Sequence, residues 1–129
     1  PDTLMYLEFC EKVATFASSR SLPVSYPGLG FESPDSGLWL EVVLVRNDNE
    51  EYGLADYGPA IAQGFFRILV CQRAGNSIVA ADNIAKDLQQ EIPKGTQLGE
   101  ASIYRTPSLS GPVTDEKNAI LMHTVTYRY

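Results

Sequence analysis

The stretch from residue 60 to residue 92 constrains the fold more than any other. Along Ile61–Cys71, Ala62, Gly64, Phe66, Ile68 and Val70 alternate with Ile61, Gln63, Phe65, Arg67, Leu69 and Cys71. One of these period-two faces is wholly small or apolar, the pattern of a strand covered on that side. A turn at Gln72–Gly75 follows, and Asn76 or Ser77 is placed to accept a bond from an orphan N–H at a helix start. Ile78, Ala81, Ile84, Ala85, Leu88 and Ile92 then recur three and four apart as one apolar stripe, which Pro93 and Gly95 terminate. A strand that runs straight into an amphipathic helix lets the helix fold back onto the strand's apolar face. This pair is therefore predicted to nucleate the core.

The remaining elements are read around it. Asp2 or Thr3 caps a first helix to about Ser19, with Tyr6, Phe9, Cys10, Val13, Phe16 and Ala17 as its stripe and Glu8, Glu11 and Lys12 facing water. From Pro23 to Gly37, prolines and glycines punctuate a long loop that has room for a short strand near Val24–Tyr26. Leu38–Val45 reads as a strand apolar on both faces, which suits a central position. The polar connection Arg46–Pro59 is fourteen residues long, too long for a tight hairpin turn. After the second helix, Leu98–Arg105 reads as a strand, 106–118 as a polar excursion, and Ala119–Tyr129 as the last strand. On that strand Thr124, Thr126 and Arg128 fall on a half-exposed face opposite Leu121, His123, Val125 and Tyr127. The order α-β-β-α-β-β predicts a single α+β domain over residues 1–129, a mostly antiparallel or mixed sheet with two helices packed on one face.

Totals exclude several function classes. With 129 residues the chain is one domain's worth, large enough to be stable without crosslinks. Ten Lys and Arg against sixteen Asp and Glu give a net charge of −6, and the arginines are scattered. Specific nucleic-acid binding, which needs basic clusters to release counterions, is not expected. No apolar run approaches the roughly 20 residues of a membrane helix, and no basic-then-apolar leader is visible. Cys10 and Cys71 belong to no CxxC pair and read as buried free thiols.

Motifs for chemistry are sparse. Asp48-Asn-Glu-Glu-Tyr-Gly53 invites a calcium-loop reading, but the twelfth position would be Pro59, which has no ligating side chain. A solvated acidic loop is the better account. His123 is the single histidine, which rules out a multi-histidine metal site and favours a packed or hydrogen-bonded residue. A Cys-His couple of Cys71 or Cys10 with His123 has no motif behind it, and apolar surroundings raise a thiol's pKa. The glycine spacing matches no phosphate-binding loop. No cofactor, metal or catalytic residue is therefore expected. Trp39, Tyr52, Tyr57 and Tyr104 could anchor an interface, with core packing an equal alternative for Trp39.

Several short stretches together resemble a family of phage proteins. They are Gly64-Phe-Phe-Arg-Ile-Leu-Val70, Arg73-Ala-Gly75, the helix carrying Ala81, Ile84 and Ala85, and Lys94-Gly-Thr-Gln-Leu98. The opening helix with its Pro-rich loop and Leu38-Trp-Leu-Glu-Val42 is also similar, as is the close, an exposed Pro107, a polar loop and a strand ending Val125-Thr-Tyr-Arg-Tyr129. Over nearly its whole length the chain resembles the tail terminators (tail-completion proteins) of long-tailed phages. That resemblance implies a non-enzymatic virion protein forming a ring, usually a hexamer, that caps the head-proximal end of the tail tube. There it would stop polymerisation and offer a surface for head–tail joining. Partners would be copies of itself, the tail tube protein and a head-completion or stopper protein, with DNA passing through unbound; it would be made in the host cytoplasm. A head–tail stopper or other neck ring, and a small α+β enzyme, are the alternatives. The acidic 46–59 loop is longer than in many relatives. Asp48, Glu50, Glu51 and Asp56 are expected at the lumen or rim, and Tyr52, Tyr57, Thr124, Thr126 and Arg128 at contacts.

Overall fold

A computed structural model describes residues 2–46, 64–99 and 101–129. In chain order the elements are α1 (Asp2–Ser19), β1 (Val24–Ser25), β2 (Leu38–Arg46), β3 (Gly64–Arg73), α2 (Val79–Glu91), β4 (Gln97–Leu98), β5 (Ala101–Ser102), β6 (Ser108–Asp115) and β7 (Ile120–Arg128). Five strands form one mixed sheet in the order β1-β2-β3-β7-β6, with only the β1–β2 pairing parallel. The α+β architecture with both helices on one face of the sheet is as the periodicity predicts.

Strand alternation explains why the helices share a face. Leu40, Val42, Phe66, Ile68, Val70, Val125 and Tyr127 are buried, as are Phe9, Val13 and Phe16 of α1 and Ala81, Ala85 and Leu88 of α2, all in one cluster. Its centre is aromatic. Phe9 stacks on Phe66 with centroids 4.3 Å apart, Tyr127 meets Phe9 edge-on at 5.3 Å, and Tyr129 stacks on Phe66 at 5.0 Å. Such pairs contribute beyond their area burial, and the Tyr127 hydroxyl is satisfied by donating to the Leu88 carbonyl at 3.0 Å. Close packing also dictates Gly64. A Cβ there would meet the Val45 carbonyl oxygen at 2.7 Å and the Tyr129 hydroxyl at 2.6 Å.

The structure corrects five expectations. Residues 106–118 are not a polar excursion, because Ser108–Asp115 forms the edge strand β6 along β7, with a bulge between Ser110 and Val113. An edge strand needs hydrogen bonds on one side only, so it tolerates Pro112 and serines that a central strand would not. The expected strand Leu98–Arg105 is instead the small β4–β5 hairpin. Gly99, at φ +63°, makes the turn, and its N–H donates to the Glu8 carboxylate of α1. Glu8 is thereby half-buried and does not simply face water. Pro107 is buried, not exposed, and its carbonyl accepts a bond from Gln89 of α2 at 2.7 Å. Helix α2 starts at Val79 with Ile78 at its cap position, one or two residues later than a cap at Ser77 or Asn76 suggests. The Asn76 and Ser77 carbonyls accept from the buried Gln72 amide instead, and the Ser77 hydroxyl accepts from the Val79 N–H.

Candidate functional site

The opposite face of the sheet is where composition departs from its setting. An antiparallel sheet with one solvated face normally alternates apolar inward with polar outward. Here the outward row Trp39–Cys71–Met122–Val113 crosses four strands, and Val43, Val45, Phe65 and Leu69 extend it. Val113 is 57% exposed and Phe65 half-buried. Trp39 and Cys71 in that row are buried, at 3% and 1% exposure, so the apolar surface still open lies around Phe65, Leu69 and Val113, where no described helix or strand covers it. Exposed apolar surface of this kind makes the face a candidate for interaction.

Cations are set into that apolar ground. The Arg67 and Arg128 guanidiniums lie over the Phe65 ring, 4.6 Å and 5.5 Å from its centroid. Among the described residues neither has a carboxylate partner. Each instead keeps its charge at the surface while its stem lies along the sheet. Arg73 at the far corner is tied down, donating to the carbonyls of Pro34 and Asn118, with its guanidinium 5.4 Å from the Trp39 ring centroid. Trp39 is 3% exposed, so packing beneath Arg73, not free contact, is its role.

The reactive groups do not converge. Cys71 faces outward beside Met122, whereas His123 pairs with Val70 and points into the core, so the sheet separates them. Burial, then the Glu41 carboxylate on the same face, pushes the Cys71 thiol up to about 12. Burial also raises Cys10, which the Tyr6 hydroxyl only partly offsets. Neither thiol is activated as a nucleophile would need. His123 has its Nε2 3.9 Å from Asp82 Oδ1, and Asp82 is paired with Lys86 at 2.9 Å. Among the described residues no hydrogen-bond partner reaches either imidazole nitrogen or Gln72 Oε1. No cluster of three or more His, Cys, Asp or Glu suited to a metal occurs among the described residues.

A sequence profile described as phage tail terminator protein matches residues 7–129. The chain belongs to the phage tail terminator family. It is accordingly a structural protein of the phage tail, a component of the virion. One solved structure superposes on it with a TM-score of 0.76 at 19% identity, over 99% of this chain and 93% of the other, a likeness that speaks for the fold alone. Among curated proteins no sequence matches. No described helix is long and apolar enough to cross a membrane.

For a tail terminator the expected contact residues divide in two. Thr124, Thr126 and Arg128 do lie on the outward face of β7, beside Leu69, Arg67 and Phe65 of β3. That face is not at the sheet's margin, because β6 pairs along β7, and Thr126 is buried at 9% exposure under its neighbours. Asp48, Glu50, Glu51, Tyr52, Asp56 and Tyr57 lie outside the described residues. Tyr104 is 47% exposed, with the Arg105 guanidinium 5.6 Å from its ring centroid. Sequence reasoning did not single out Phe65, Arg67 and Val113 as candidate contact residues. Alternation had already put Phe65 and Arg67 opposite the core face, but only the shared side of both helices shows that no described helix covers them.

Proposed function

We propose that this protein assembles as a ring, a hexamer, on the head-proximal end of the tail tube. The ring ends tube polymerisation and presents the surface to which the head's completion or stopper protein joins. The observation that carries this reading is the family match over residues 7–129, which assigns the tail role. The open apolar sheet face supports it physically, since a monomer gains by covering such a surface and a heterologous contact closes into a ring where its rotation permits.

DNA passes through the ring without specific binding. Six copies at −6 each carry −36 in total. Carboxylates on a channel wall repel phosphates within a screening length of about 8 Å at physiological salt, which keeps the passage from becoming a binding site. Asp48, Glu50, Glu51 and Asp56 are the acidic run assigned to the lumen or rim, with Tyr52 and Tyr57 at the adjoining contact.

Electron microscopy of virions carrying a tagged copy tests the placement. Label as one collar where tail meets head is the expected result. Label along the tube, at the distal tip or on the head side of the joint would refute it.

A further inference from the structure

Charge is segregated between the two sides of this molecule. Helices α1 and α2 carry Asp2, Glu8, Glu11, Asp82, Asp87 and Glu91 against Lys12 and Lys86, a net of −4, which Arg20 at the end of α1 brings to −3 by pairing with Asp87 at 3.6 Å and Glu91 at 3.1 Å. The bare sheet face carries Arg67, Arg73 and Arg128 against Glu41 and Asp115, a net of +1, in a chain that is −6 overall. Among the described residues Arg67 and Arg128 are also the cations on that face without a carboxylate partner, flanking the half-buried Phe65. On the helix side, a shallow groove between the ends of α1 and α2 is lined by Glu11, Lys12, Phe16, Glu91 and Ile92, apolar at its floor, with Glu91 held by Arg20 and Glu11 the rim carboxylate without an ion-pair partner among the described residues.

We infer that the bare sheet face of one copy seats on the helix face of the next, with Phe65 toward the α1–α2 groove and Arg67 and Arg128 facing its carboxylates. The inference rests on the ring reading and names the surfaces that make the ring. Because the two surfaces lie on opposite sides of one sheet, the contact is head-to-tail, the type that generates rings, and not a two-fold pairing. Cations and carboxylates meet across it, which sets orientation and register and disfavours sheet-to-sheet or helix-to-helix pairing of like charges. Apolar area at Phe65, Val43 and Leu69 is covered in the same step.

Zero-length carbodiimide crosslinking of isolated tails tests this, because it joins an amine to a carboxylate only in direct contact. Tails are built with the full chain bearing Arg67→Lys and Arg128→Lys, which keep the charge and supply the amine. Peptide mapping should give links from positions 67 or 128 to Glu11, Asp87 or Glu91, and these arise only between copies since the sheet lies between the two surfaces. Arg67→Glu with Arg128→Glu should abolish tail completion, and adding Glu11→Lys and Asp87→Lys to the same chain should restore part of it. Links to the tube protein, links confined to other segments, or no links would overturn the inference, as would full activity of the Arg67→Glu, Arg128→Glu protein. Failure of the ring reading itself shows separately, as tails of ordinary length when the protein is missing.

Discussion

Phe65 and Phe66 are neighbours in sequence on opposite faces of β3, so truncating each should give opposite phenotypes. Phe66 is 1% exposed and stacked between Phe9 and Tyr129. Truncation to alanine at such a site costs about 3–5 kcal/mol. Phe65 is half-buried, and its loss costs about 1–2 kcal/mol from reduced apolar burial and the two arginines over its ring. With an unfolding entropy of about 2.1 cal/mol/K per residue, 1 kcal/mol moves Tm by about 4 °C at this chain length. Phe66→Ala should therefore lower Tm by about 10–20 °C, and Phe65→Ala by about 4–8 °C. Thermal unfolding followed by circular dichroism reads both, and phage complementation at a temperature where both are folded reads assembly. Phe65→Ala should fail in assembly while Phe66→Ala, once folded, retains it. Equal Tm losses, or an assembly defect confined to Phe66→Ala, would refute the assignment of faces.

Three further outcomes follow from the same packing. Gly64→Ala drives a methyl into the Val45 carbonyl and should destabilise by about 1–3 kcal/mol in chemical denaturation, with wild-type stability as the refuting result. His123→Leu removes two buried nitrogens that have no hydrogen-bond partner among the described residues, each unpaired group costing about 1–3 kcal/mol, so stability should hold or rise; a clear loss would mean that the imidazole has a bonding partner in solution, Asp82 at 3.9 Å being the nearest carboxylate. Alkaline conditions should weaken the fold. Burial holds the Cys71 thiol at about 12 against its ordinary 9.0, and the Tyr6 hydroxyl at about 12 against 10.0. The unfolded chain releases these protons first, so their contribution is complete below pH 9 and lost as pH rises toward 12. A Tm constant from pH 8 to 11 in wild type, or equal alkaline loss in Cys71→Ala, would contradict this for the thiol.

What could be read from the residues was what their periodicity makes local. The switch from period two to period three-and-four at Gln72–Ser77 marks β3 and α2 because each element buries one face, and the α1 stripe reads the same way. Strand β6 was illegible for the opposite reason. Ser108-Leu-Ser-Gly-Pro-Val-Thr-Asp115 has the composition of a loop, and it is a strand only because β7 supplies its partners. Gly99 split another expected strand, since its positive φ and its bond to Glu8 belong to tertiary packing that propensity does not see. The candidate surface was half legible. Phe65 and Arg67 could be assigned a face, but an open face is a property of where both helices go.

Tail length measured by electron microscopy, in lysates of the phage with this gene disrupted, tests the central claim most directly. A protein that ends tube growth predicts tubes extending well past the wild-type length, broad in distribution and without attached heads. Tails of wild-type length, with heads attached or not, would contradict the account.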